Sequence, residues 1–157
     1  MISIEAMKAQ AELEKRNLEV IQRLFQGLNN GSTQILEDAY APDVAFHFPS
    51  IGNPLSKVET IQFLAALYQA YPDTHWEVHE MIPKGDKVVV WSTVTGTNRG
   101  DFLGIPATQK KIRVGEIVIY RLENERIVEE RVERDALGQV TQLGMQVVPQ
   151  EEAQATH

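Results

Sequence analysis

Residues 112–135 read IRVGEIVIYRLENERIVEERVERD. Two runs of β-branched and alternating residues flank Asn124-Glu125, so the stretch is expected to be a β-hairpin. Asn124 tolerates left-handed backbone geometry, while Glu125 is a poor substitute for the usual glycine. Regular pairing about that turn sets Tyr120 opposite Glu129, Val118 opposite Arg131, Glu116 opposite Glu133 and Val114 opposite Asp135. One face then carries Val114, Glu116, Val118 and Tyr120 with Glu129, Arg131, Glu133 and Asp135. The other carries Ile117, Ile119, Val128 and Val132 with Arg121, Glu130 and Arg134. A slip of one residue exchanges the faces.

The first face holds more charge than a surface strand needs. Like charges directly opposite destabilise a sheet, so an enclosed Glu116–Glu133 pair implies one carboxyl with a raised pKa, suited to general acid or base work. The alternative is a solvated strand end on which Arg131 offsets the acids. Asp135 closes the second strand ahead of Ala136-Leu137-Gly138. It is read either as the acid/base of a pocket or as the N-cap of a short helix, a role typically worth ~1 kcal/mol.

Working outward, Leu13, Leu18, Ile21, Leu24, Phe25 and Leu28 form one stripe of a helix over about Glu5–Asn29, frayed before Ala11 and stopped at Gly31. A short helix is expected near Thr33–Tyr40, broken by Pro42, then a strand at Val44–Phe48 with His47 facing away from Val44, Phe46 and Phe48. Ser56 and Glu59 make a capping box for a third helix, Lys57–Tyr71. Thr74–Ile82 and Lys87–Asn98 read as strands, and Gly100–Gln109 as a bent loop in which Phe102 can lid a pocket or plug the fold. Trp76 and Tyr120 are read as core or pocket wall. The segment from Ala136 to Gly144 is ambiguous between helix and loop. Helices first and antiparallel strands after them is an α+β order. The helices are expected to cover one face of a strongly curved, mostly antiparallel sheet that encloses a pocket. Residues 1–148 are expected to be one domain, with 1–10 frayed and 149–157 a disordered tail.

Composition narrows the function. The chain has 157 residues, 22 acidic and 15 basic, and a net charge of −7. That balance argues against nucleic acid, which needs a basic patch. No cysteine is present, so thiolate metal sites and disulfides are excluded. His75 and His79 lie four apart on a strand, too far to chelate one zinc. No apolar run approaches the ~20 residues of a membrane span, and the N-terminus does not read as a signal peptide. The cytoplasm is the default expectation.

The stretches GDKVVVWSTVTGTNRGDFLGIPATQKKIRV, IYRLENERIVEE and DALGQVTQLG resemble the SnoaL-like polyketide cyclases, or predicted ester cyclases, of the nuclear-transport-factor-2-like superfamily. The opening EVIQRLFQGLNNGSTQILEDAYAPDVAFHFP and YPDTHWEVHEMI fit as well. The resemblance implies a cystatin-like α+β cone around a hydrophobic pocket, a homodimer, and no metal or organic cofactor. It further implies a small hydrophobic carbonyl-containing ligand, closed by an acid/base-catalysed intramolecular aldol reaction. It points to Asp135 as the acid/base and His47 as its companion. Arg131, Glu133, Glu116, Tyr120, Trp76 and Phe102 become the expected substrate-binding set. Arg131 and Arg134 stand where relatives usually or often carry tryptophan, and Asn98 where they often carry histidine. A cationic wall there suits an acidic or enolate-forming ligand. Alternatives in the same fold are a non-catalytic binding protein and a ketosteroid-isomerase- or dehydratase-like enzyme.

Overall fold

A computed structural model describes residues 1–151. The long helix α1 (Ile4–Asn29) starts at Ser3, whose side chain accepts the Ala6 amide, so the turn expected to fray is capped and helical. Its stripe of Val20, Ile21, Leu24, Phe25 and Leu28 is buried. Helix α2 (Gln34–Ala39) is short. Strand β1 (Tyr40–His47) begins earlier than the sequence indicates. It accommodates Pro42 because it is an edge strand, where a missing N–H costs little. Helix α3 (Lys57–Ala70) carries the expected capping box of Ser56 and Glu59. The expected tail disorder bears mainly on residues 152–157, which lie outside the described residues.

Strands β2 (His75–Lys84), β3 (Lys87–Thr97), β4 (Lys111–Glu123) and β5 (Arg126–Arg134) complete one sheet in the order β1-β5-β4-β3-β2. It is antiparallel except for β1, which runs parallel to β5. Helices α1 and α3 cover its concave face, giving an α+β cone with the apolar core between the layers.

The β4–β5 hairpin turns at Asn124-Glu125 as expected, both residues having positive φ (51° and 63°). Its register differs from the sequence expectation. Arg121 pairs with Glu129 but Leu122 pairs with Ile127, so Val128 is an extra residue that neither neighbouring strand matches. This β-bulge reverses the inward and outward sets of β5 beyond it. Tyr120 therefore faces Glu130, Val118 faces Val132 and Glu116 faces Arg134. Arg131 and Glu133, expected inside, are exposed. The inward face of β4 is as expected, with Ile112, Val114, Glu116, Val118 and Tyr120 buried.

Helix α4 (Ala136–Gln142) resolves the ambiguous segment. Its last residue, Gln142, bonds β4 beyond the end of β5. The side-chain carbonyl accepts the Arg113 amide at 2.6 Å, and the side-chain NH2 donates to the Arg113 carbonyl at 2.9 Å. Leu143, just past the helix, is buried against Ile112, Val114 and Tyr71.

Candidate functional site

The cone encloses a cavity of about 240 Å³. Leu24, Leu28 and Leu36 wall one side, Leu64 and Leu67 of α3 another, and Val94, Val118 and Val132 the sheet. Exposed Ser50, Leu103 and Ala136 on its lining mark the mouth. The 98–109 loop that supplies Phe102 and Leu103 is stapled by Asn98, fully buried at its base. The Asn98 side-chain Oδ1 accepts the Thr108 amide at 2.7 Å and hydroxyl at 2.9 Å, and the side-chain NH2 donates to the Gly100 carbonyl at 2.9 Å. Asn98 thus holds the rim and does not reach the cavity.

Two polar stations interrupt the apolar wall. At the deeper one, β1 supplies Tyr40, β4 Tyr120 and β5 Glu130, all buried. The Tyr40 hydroxyl donates to Glu130 Oε1 at 2.9 Å. The Tyr120 phenol lies against the same carboxyl, its ring edge-to-face with Phe25. Burial raises the Glu130 pKa to about 8, against the opposing pull of the Tyr40 hydrogen bond. Burial also lifts both phenols well above 10, helped by the facing carboxyl. Both therefore remain hydrogen-bond donors at neutral pH.

The second station sits nearer the mouth. Arg134 Nη1 lies 3.6 Å from Glu116 Oε2, with both side chains about nine-tenths buried. The Arg134 Cζ lies over the Phe48 ring, 5.6 Å from its centroid. Burial raises the Glu116 pKa while Arg134 pulls it down, with the Trp76 indole beside the carboxyl.

Of the residues expected from sequence, Glu116, Tyr120, Trp76 and Phe102 line this cavity. Asp135, His47, Arg131 and Glu133 do not. Asp135 is exposed, and its Oδ1 accepts the Gly138 amide at 2.8 Å. It caps α4, the routine role for an acid at that position. His47 lies on the outer side of β1, 3.7 Å from Glu129 Oε2. The bulge carries Arg131 and Glu133 to the outer face. The same bulge brings in Glu130 and Arg134, which the regular register sends outward. Tyr40 was hidden because it reads as the end of a helix. Among the described residues, no group of three or more His, Asp or Glu side chains is placed to hold a metal ion, and no helix is long and apolar enough to cross a membrane.

A curled sheet, covering helices and a lined cavity with buried acids define the chain as an α+β cone with an internal cavity. A family model for SnoaL-like polyketide cyclase matches residues 18–143. The chain belongs to that family. A protein of Jannaschia sp. CCS1, provisionally assigned as a SnoaL-like polyketide cyclase, superposes with a TM-score of 0.79 at 25% identity, over 86% of this chain and 96% of that one. IdmH of Streptomyces antibioticus, provisionally a polyketide cyclase, gives 0.73 at 24% identity over 82% and 99%. AclR of Streptomyces galilaeus, provisionally a hydroxylase, gives 0.75 at 20% over 93% and 94%. The last two likenesses bear on fold alone. No curated protein matches the sequence.

Proposed function

We propose that the protein is a cofactor-independent cyclase acting by proton transfer on a carbonyl compound, with Glu130 as its acid/base. The observation that carries this reading is the Glu130 carboxyl, buried on the cavity wall between two phenols with a pKa raised to about 8. A group titrating close to the operating pH can take a proton and return it. Ionised, Glu130 removes the proton next to a carbonyl. Protonated, it delivers that proton to the alkoxide formed when the enolate attacks a second carbonyl of the same molecule. Once Glu130 has taken the proton, Tyr40 and Tyr120 can turn their single O–H donors from its carboxyl to the oxygen on which charge develops. The apolar walls fold the substrate on itself and exclude water. The family supports the ring-closing outcome, and enolisation alone would give the isomerase variant of the same chemistry.

The exposed position of Asp135 favours a second reading, in which the cone binds a carbonyl compound without turning it over. Exchange of the α-protons of 2-tetralone in D2O, followed by NMR, separates the two. The enzyme reading expects exchange above buffer that falls about 10²–10⁴-fold in Glu130→Gln. No exchange by the wild type leaves binding alone, and an unchanged rate in that variant removes Glu130 from the acid/base role. The outer sheet face, where Trp91 and Ile117 are each 50% exposed and Ile119 40%, is the surface through which we propose the chain dimerises.

A further inference from the structure

We infer that the cavity binds an elongated apolar carboxylic acid, with the carboxylate held by Arg134 near the mouth and a carbonyl or hydroxyl directed to Tyr40, Tyr120 and Glu130 at depth. The inference rests on the cavity being the substrate site, and it adds the chemical class of the substrate.

Arg134 carries the argument. It lines the cavity and its side chain is 10% exposed. A guanidinium taken this far out of water normally has its five donors in a fork of bonds to acceptors. Here Nε is sealed from solvent and has no hydrogen-bond partner among the described residues. The nearest carboxylate oxygen, Glu116 Oε2, stands 3.6 Å from Nη1. Charge-assisted bonds of this type run to about 2.7–2.9 Å, so Glu116 attracts the guanidinium without engaging it. The Arg134 Cζ lies over the Phe48 ring, 5.6 Å from its centroid, a contact that supplies none of the missing hydrogen-bond acceptors. A buried cation with unmade bonds is costly. A planar carboxylate on the ligand supplies the missing acceptors.

The spacing of the two stations sets the ligand's shape. Glu130 and Arg134 are both inward residues of β5, with Val132 between them. Four residues of strand separate their Cα atoms by about 13 Å. Val118 and Val132 form an apolar bridge between the two polar levels. A ligand matching this wall has oxygen at both ends and a flat hydrocarbon middle. A methyl ester, with no charge, satisfies the deep station but not Arg134.

The test compares 6-hydroxy-2-naphthoate with its methyl ester by calorimetric titration of the full chain. The wild type is expected to bind the acid at least about ten-fold more tightly, the scale of one charge-assisted hydrogen bond. Arg134→Met is expected to erase the difference while keeping the ester's affinity. Equal affinities in the wild type, a preference that survives in Arg134→Met, or failure of the acid to bind at all overturns the inference. Because Arg134→Met leaves Glu116 buried without its cation, Glu116→Gln provides a second arm. It removes the competing carboxyl while keeping Arg134, so the preference for the acid should widen several-fold; a preference that stays the same or narrows overturns the inference. Glu130-dependent exchange of 2-tetralone without acid preference sinks this inference alone. Acid preference without exchange sinks only the catalytic reading.

Discussion

Glu116 faces Arg134 across the β4–β5 ladder, not Glu133. That one pairing turns a repulsive pair of acids into an acid beside a guanidinium, and it follows from the single unmatched residue Val128.

Deleting Val128 is therefore expected to keep the inward set of β5. Glu129 then follows Ile127 directly, so a regular ladder still sets Glu130 opposite Tyr120 and Arg134 opposite Glu116. Deleting Val128 and Glu129 together reverses the faces instead, because Glu130 then falls opposite the outward Arg121. Turning Arg131 and Glu133 into the core and Val132 out of it outweighs a stability of about 5–15 kcal/mol. By circular dichroism the single deletion should retain a cooperative thermal transition and the double deletion should show none. The opposite result would contradict the role given to the bulge.

Stability should fall as pH rises between about 4.5 and 8. Glu130 has a folded pKa of about 8 against an ordinary value of 4.5. In that window the folded chain holds a proton that the unfolded chain has released. Its stabilising contribution is complete below the ordinary value and is lost as pH climbs through the folded one. Glu130→Gln removes this dependence. It should match the wild type near pH 4.5 and exceed it above pH 8 by on the order of 2–5 kcal/mol. Urea titrations at the two pH values measure the difference, and parallel pH curves for the two proteins would refute it.

Asp135→Ala should cost about 1 kcal/mol through loss of the α4 cap, with 2-tetralone exchange within about two-fold of wild type on a scale where an acid/base gives 10²–10⁴. Asp135→Asn should be nearly neutral, because asparagine caps as well as aspartate. Gly138→Ala should damage the same cap from the other side, since a Cβ there would run into the Asp135 carboxyl. Thermal melts paired with the exchange assay check all three. A large loss of exchange in Asp135→Asn would return the acid/base role to Asp135.

Trp91→Asp places a charge in the middle of the exposed apolar surface formed by Trp91, Ile117 and Ile119. Light scattering after gel filtration should show the wild type as a dimer and this variant as a monomer, with the same secondary structure. A wild type that is monomeric at micromolar concentration would leave that surface without the proposed role.

The helices, the strand order of the hairpins, the capping box and the inward face of β4 were legible because each is written in local periodicity or end chemistry. The resemblance to the cyclase family is likewise borne by long stretches of sequence. The cavity lining was only half legible. Glu116, Tyr120, Trp76 and Phe102 could be placed on the cavity wall because β4 alternates cleanly and the aromatics mark a wall. Glu130 and Arg134 were sent to the wrong face because a bulge leaves no local signature in ERIVEERVER, where residues of both parities are mostly charged. Tyr40 was missed because the turn from α2 into β1 is set by packing. The family pattern points Asp135 into the pocket, whereas its carboxyl caps α4, a reading its position before Ala136-Leu137-Gly138 also offered.

The two bonds between Gln142 and Arg113 bear on self-association. Beyond the end of β5, the β4 backbone would present an unpaired N–H and C=O, the kind of template on which a strand of another molecule can dock. The Gln142 amide occupies that place with one donor and one acceptor, as a neighbouring strand would. The side chain thus works as an edge guard, protecting the sheet from aggregation where its own strands run out.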